Sequence, residues 1–296
     1  MSKYKTLGFI GGDRRQLYVI SGLAEDGYNI SVFGIDEGLG ATDKIRLCSD
    51  VCDVVSSSDA IVLPVPYSSV LCGDNINTPL SRGEIRFAEL SSAIDTYGTG
   101  LILAGRADER LRALECCGAL KVIDYMEREE LAVLNAIPTA EGAIKLAMNE
   151  LPVTIHGSEC LVTGFGRVSK ILCRALYGLG AKVTVSVRKK GDLAYIKAFG
   201  YEGADITKPL EAPKRYDIIF NTVPHLIIDR GMLGALRSDT LVIDLASKPG
   251  GVDFEAAKEL GRNVIWALSL PGKTAPMTAG NIIRDTINNI LSEQER

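Results

Sequence analysis

A chain of 296 residues is long enough for two ordinary domains, and its 46% apolar residues supply a core for both, which excludes extensive disorder. The formal net charge is only −4 and no long basic block occurs, so a phosphate-neutralising nucleic-acid surface is excluded and small molecules are the expected partners. The first residues lead into no long apolar stretch, and no run of about 18 uninterrupted apolar residues occurs, so the sequence predicts no signal peptide, no membrane span and a cytoplasmic protein.

In chain order, Thr6 to Ile10 reads as a strand, Arg14 to Glu25 as a helix and Asn29 to Ile35 as a second strand, a βαβ beginning. Further strands are expected at Ala60 to Val65, Gly100 to Ala104 and Leu120 to Asp124, with a helix over Asp108 to Cys117. From Arg128 to Leu151 apolar residues recur at helical spacing, and Pro138 should end or kink that helix because it lacks an amide donor. The second half then offers strands at Leu161 to Thr163, Lys182 to Val187, Asp217 to Phe220, Thr240 to Asp244 and Val264 to Ala267. Ala279 to Leu291 carries Ile282, Ile283, Ile287, Ile290 and Leu291 on one stripe, a closing helix able to cover the first domain.

The predicted fold is α/β with two Rossmann-like domains, the C-terminal one a doubly wound parallel sheet. Residues 1–137 form an N-terminal α/β domain, 138–151 a connecting helix, 152–275 a dinucleotide-binding domain, and 276–296 a helix returning to the first domain. Seven cysteines, Cys48, Cys52, Cys72, Cys116, Cys117, Cys160 and Cys173, make no paired C-x-x-C spacing and read as reduced, mostly buried thiols. Cys72, in a Gly- and Asn-rich loop, is the exception left open, and no metal site is expected.

The stretch Leu161-Val162-Thr163-Gly164-Phe165-Gly166-Arg167-Val168-Ser169 runs from a strand through two glycines into a helical pattern. The first glycine permits a tight turn, and the second permits close backbone approach to a pyrophosphate at the helix start. Ser169 stands where the fingerprint wants Gly or Ala. At the end of the next strand the usual ribose-gripping carboxylate is missing, and Ser186-Val187-Arg188-Lys189-Lys190 supplies cations instead. That exchange points to NADP over NAD, although a solvated basic turn would read the same way.

In this fold ligands bind beyond the carboxyl ends of the strands. Three loops there are unusual: Asn221-Thr222-Val223-Pro224-His225, Leu245-Ala246-Ser247-Lys248-Pro249-Gly250-Gly251 and Leu268-Ser269-Leu270-Pro271-Gly272-Lys273. Together they are expected to line a nicotinamide pocket, with Asn221, Thr222, Ser247, Lys248 and Lys273 as donors. Gly11-Gly12-Asp13-Arg14-Arg15-Gln16 follows the first strand, with Asp13 placed to cap a helix and both arginines able to meet a carboxylate or to project into solvent. Pro64-Val65-Pro66-Tyr67-Ser68 would face the same cleft. His225, with an ordinary titration near neutrality, is a candidate general base, though a surface loop histidine fits as well.

Taken together, Phe9 to Gln16, Leu63-Pro64-Val65-Pro66, Phe220 to Pro224, Ile243 to Gly251 and Trp266 to Lys273 make the chain resemble the dipicolinate synthase A-subunit family over nearly its whole length. The resemblance implies NADP-linked oxidation of a dihydrodipicolinate, formed by water loss from a hydroxylated tetrahydro precursor, during sporulation in the mother cell. It also implies a flavoprotein-like B-subunit of the same synthase as partner, and leaves a homo-oligomer open. A dianionic substrate needs two cationic anchors, with Arg14 or Arg15 from one domain and Lys248 or Lys273 from the other expected across the cleft. Asp13, His225 and Lys273 are candidates for accepting the proton. Two rivals stand beside this reading: a two-domain amino-acid or 2-hydroxy-acid dehydrogenase, and a non-catalytic NADP-binding partner protein.

Overall fold

The computed structural model describes residues 3–68, 73–117 and 120–296. They divide into two compact units, Met1–Leu134 with Pro276–Arg296, and Asn135–Ala275. Cys72 lies outside the described residues.

The first unit opens with β1 (Thr6–Ile10), α1 (Arg14–Glu25) and β2 (Asn29–Phe33), followed by β3 (Ile45–Leu47), α2 (Val51–Ser56) and β4 (Ala60–Val62). It continues with α3 (Phe87–Tyr97), β5 (Leu101–Ala104), α4 (Glu109–Arg112), β6 (Lys121–Asp124) and α5 (Glu129–Leu134). The six strands form one parallel sheet in the order β3-β2-β1-β4-β5-β6. β1, β4 and β5 are almost continuously apolar because helices cover both sheet faces. β2 stops two residues early, where Gly34 adopts φ +77°. β4 ends at Val62, ahead of Pro64 and Pro66, which cannot donate to a ladder. The expected helix over Asp108 to Cys117 is a single α turn followed by a 3-10 segment, Ala113–Cys117.

The second unit comprises α6 (Ala136–Glu150), β7 (Glu159–Thr163), α7 (Arg167–Gly178), β8 (Lys182–Val187), α8 (Lys190–Ala198), β9 (Glu202–Asp205) and β10 (Ile218–Asn221). It ends with α9 (Arg230–Ala235), β11 (Leu241–Asp244), α10 (Phe254–Glu259), β12 (Asn263–Trp266) and α11 (Leu270–Thr274). Its sheet is also parallel, in the order β12-β11-β10-β7-β8-β9. The crossover between β9 and β10 carries only a 3-10 turn, Pro213–Arg215.

Residues 138–151, expected as a connector, belong to α6 within this unit. Pro138 lies inside the first turn of α6, where an amide has no intrahelical acceptor, and the break falls earlier, at Asn135. The stretch Glu129–Glu150 has the length and hydropathy of a membrane span, but it is two helices, and α6 buries Ala140, Ala143, Ile144 and Ala147 against its own unit.

α12 (Pro276–Gln294) closes the first unit by packing on α1. Ile282, Ile283, Ile287, Ile290 and Leu291 join Leu7, Phe9, Val19, Ile20 and Leu23 in one core cluster. Each such side chain contributes about 1.5–3 kcal/mol on burial. Arg128 ties the far end of α12 through Glu293 at 2.6 Å. Cys160 and Cys173 are buried, and desolvation pushes their thiols up to about 11 and about 12. Cys52 and Cys116 are exposed, so the expectation of mostly buried thiols holds for only part of the set.

Candidate functional site

The carboxyl end of β7 turns through Gly164, Phe165 and Gly166 into α7. Gly164 has φ +84°, and a Cβ there would lie 2.9 Å from both Thr222 Oγ1 and Val223 Cγ2, so a side chain is excluded twice over. Gly166 is the N-cap, no side chain caps it, and α7 has no acidic residue in its first turn. A Cβ on Gly166 would meet nothing within 4 Å. The helix therefore presents unfilled N–H donors at its positive end to open space, the arrangement that holds a diphosphate. Arg167 is exposed and Val168 half-buried at the first two helical positions.

Ser169 is fully buried, and its Oγ lies 2.7 Å from Thr222 Oγ1. Thr222 in turn donates to the Thr163 carbonyl at 2.7 Å, which leaves Ser169 as the donor to Thr222. A hydroxyl thus replaces the third glycine of the fingerprint without leaving a polar atom unpaired. The same bonds correct the expectation that the Thr222 hydroxyl is a ligand donor, since it is spent within the protein.

Arg188 and Lys189 are exposed just beyond β8, and neither pairs with a carboxylate among the described residues. α8 begins there with Lys189 as N-cap and no side-chain cap. A cavity of about 330 Å³ is lined by Gly164, Val187, Arg188, Lys189, Asp192, Val223 and His225. Two cations and an uncapped helix start thus converge where the ribose of a dinucleotide is gripped in this fold. Asp192, unremarked in the sequence, adds a carboxylate to the same wall.

His225 is exposed and belongs to this cavity, which neither Lys248 nor Lys273 lines. Ser186 is buried and lines a neighbouring cavity of about 400 Å³ with Thr163, Thr207, Lys208 and Asp229. Residues of the crossover from β9 to β10, Ile206 to Leu210 and Pro213, form much of that second cavity's wall.

The loops after β10, β11 and β12 are joined by one buried network. Asn221 and Asp244 are both fully buried, and Asn221 Nδ2 donates to Asp244 Oδ1 at 2.7 Å and to the Val223 carbonyl at 3.0 Å. Asn221 Oδ1 accepts from Thr163 Oγ1 at 2.5 Å and from the Val223 amide at 3.2 Å. Asp244 also accepts from the amides of Ala246 at 3.0 Å and Gly251 at 2.8 Å. Trp266 Nε1 donates to the Ala246 carbonyl at 3.0 Å. Asn221 has no free N–H, so it shapes Val223 and Pro224 and does not itself reach a ligand. Asp244 was missed from sequence; a strand-end acid before a Lys-Pro-Gly-Gly loop was its only signal. Lys248 is exposed on the loop after β11 and Lys273 is exposed within α11, a helix where the sequence suggested a loop, each without a carboxylate partner among the described residues. Ser269, which opens α11 just before Lys273, has φ +61°.

In the first unit, Asp13 caps α1 through the Arg15 amide at 2.9 Å. Its carboxylate also pairs with Arg15 Nη2 at 2.7 Å, and Arg15 Nη2 reaches the Val65 carbonyl as well. Arg15 is only 8% exposed. Asp13 and Arg15 are thereby held by each other inside the fold. Arg14 is exposed and unpaired among the described residues.

Comparison with known proteins identifies relatives of this chain. Residues 6–126 match the family model for the N-terminal domain of the dipicolinate synthase A-subunit. The chain is 33% identical to the dipicolinate synthase A-subunit of Bacillus subtilis (strain 168) over 288 residues, 97% of this chain and 96% of that protein. The crystal structure of the dipicolinate synthase A-subunit from Bacillus halodurans superposes with a TM-score of 0.88 at 33% identity, covering 97% of both chains. The transhydrogenase of Sinorhizobium meliloti shares the fold, with a TM-score of 0.70 at 16% identity over 97% of this chain and 94% of that one. By its identity to these relatives along almost its entire length, the chain belongs to the dipicolinate synthase A-subunit family.

Proposed function

We propose that this chain is the NADP-linked oxidoreductase component of a dipicolinate synthase, acting on dihydrodipicolinate derived from 4-hydroxy-tetrahydrodipicolinate. The observation that carries the reading is the uncapped start of α7 beside the cavity of Arg188 and Lys189, in a member of this family. The fit to a dinucleotide rests on Gly164, Gly166 and the first amides of α7 for the diphosphate. Arg188, Lys189 and the amides opening α8 suit a ribose phosphate, and Val223 and Ala246 supply apolar wall.

NADP+, when bound, supplies the acceptor for hydride. The ring loses that hydride from carbon and a proton, and becomes an aromatic pyridine dicarboxylate. The chain's own work is to hold the dianion, exclude water and position the ring, which is worth up to about 7–11 kcal/mol in favourable cases. Arg14, exposed and without a carboxylate partner among the described residues, suits a substrate carboxylate. Of the groups considered for the departing proton, Lys273 alone is neither paired within the fold nor set in the Arg188 cavity. The partner this reading requires is the flavoprotein-like B-subunit, in the mother cell of a sporulating bacterium.

The test is NADPH absorbance after mixing the purified chain, NADP+ and freshly generated 4-hydroxy-tetrahydrodipicolinate, with and without the B-subunit. Formation of NADPH is expected. Its absence in both mixtures, with NADPH binding demonstrated, would overturn the reading. Lys273→Ala should lower turnover while leaving NADPH affinity unchanged.

A further inference from the structure

Gln16 stands in the first turn of α1 and is only 1% exposed, yet its Nε2 has no hydrogen-bond partner. The side chain lies over Gly12, where a Cβ would sit 2.8 Å from Gln16 Cβ, and Gly12 has φ +127°. A buried unpaired amide normally costs about 1–3 kcal/mol, so the fold tolerates a penalty at this spot that apolar packing would have avoided. Asp13 already caps α1 through the Arg15 amide, so the groups left for an anion at this place are the Arg14 cation and the unpaired Gln16 amide.

A second feature lies two strands away. Arg106, after β5, has φ +62°, a conformation that costs a non-glycine residue about 1–2 kcal/mol. Asp124 holds it there by accepting from the Arg106 amide at 3.0 Å and the Ala107 amide at 2.8 Å. The Arg106 side chain is exposed and has no carboxylate partner among the described residues. Val65, in the loop after β4, links the two places. Its carbonyl accepts from Arg15, and a Cβ on Gly105 would lie 2.7 Å from Val65 Cγ2. β1, β4 and β5 are consecutive in the sheet, so the loops bearing Arg14 and Arg106 are about 10 Å apart, two strand spacings. Asp13, beside Arg14, is already paired with Arg15, and Asp124 is engaged with the Arg106 and Ala107 amides.

We propose that the first unit alone holds the substrate's two carboxylates, with Gln16 and Arg106 as specificity residues beside Arg14. This deepens the functional reading above and rests on it: Arg14 takes one carboxylate with a hydrogen bond from Gln16, and Arg106 takes the other. Two arginines flanking a small ring select dicarboxylates over monocarboxylates, because a ligand lacking the second anion leaves Arg106 unmatched.

The experiment is calorimetric titration of the full chain, with NADPH present, using pyridine-2,6-dicarboxylate and pyridine-2-carboxylate. Arg106→Gly should raise the dicarboxylate Kd roughly 10- to 100-fold, the value of a charge-assisted pair, while moving the monocarboxylate Kd by less than about threefold. The same variant relieves the left-handed backbone and should melt no lower than the wild type. Gln16→Met should weaken the dicarboxylate about tenfold or more and be at least as stable in urea, since it removes an unpaired buried amide. Unchanged dicarboxylate affinity in both variants would overturn the site. A wild-type chain that binds NADPH but no dicarboxylate would overturn the functional reading itself, and the site with it.

Discussion

Asn221 donates to Asp244 across the sheet at 2.7 Å, and neither side chain is exposed to solvent. Asp244 gathers that amide and the backbone amides of Ala246 and Gly251, so one carboxylate sets the shape of two ligand-facing loops. Asp244→Ala strands three buried donors, each worth about 1–3 kcal/mol when left unpaired. The expected loss is at least about 3 kcal/mol in urea unfolding, with weaker NADPH binding. Asp244→Asn should lose less, because one acceptor oxygen survives. Equal stability of Asp244→Ala and wild type would show that the loops hold their form without it.

Arg14 and Arg15 are adjacent in sequence and should separate cleanly by experiment. Arg15 is paired with Asp13 and bonded to Val65 inside the fold, and truncating one member of a largely buried pair costs about 3–5 kcal/mol. Arg15→Ala is therefore expected to unfold at markedly lower urea. Arg14→Ala should melt within about 0.5 kcal/mol of wild type, as surface changes do, while raising KM for the dicarboxylate. The reverse pattern would exchange the roles assigned to the two residues.

That division shows what a sequence withholds. The strand-Gly-Phe-Gly-helix turn and the apolar stripe of α12 are local patterns, and the structure forms both where periodicity placed them. β3 and β9 escaped notice because they are edge strands whose side chains are mostly exposed, so they lack an apolar alternation. Asn221 and Thr222 looked like free donors because two of their acceptors, Asp244 and Thr163, are brought to them by strand pairing. Gln16 is distinguished only by burial without a partner, which depends on the packed structure around it.

Cofactor preference tests the basic turn after β8. Arg188 and Lys189 line the cavity next to Gly164, and α8 opens there without a side-chain cap. Arg188→Ala should raise the NADPH Kd roughly 10- to 100-fold, the value of a lost charge-assisted bond, and change the NADH Kd far less. Asp192 shares the wall, so Asp192→Asn should favour NADPH further by removing a like charge from the phosphate. Parallel titrations with both nucleotides check this, and a uniform loss for NADPH and NADH would reassign Arg188 to general packing.

Tyr67 provides a pH test confined to the first unit. It is 1% exposed, its hydroxyl donates to Asp108, and Arg110 Nη2 donates to it at 3.3 Å. Burial, reinforced by the Asp108 carboxylate, pushes its phenol up to about 12 from an ordinary value of 10.0. The folded state thus holds this proton more tightly than the unfolded chain does. Its contribution is fully present below the unfolded value and is lost as pH rises through the folded one, a window from about 10 to about 12. Tyr67→Phe should lower stability at pH 7 by about 1–2 kcal/mol for the lost hydrogen bonds, and should flatten the decline across that alkaline window. Urea midpoints measured from pH 7 to pH 12 separate the two effects, and an alkaline slope identical to wild type would assign the titration to other tyrosines such as Tyr125, which burial also raises.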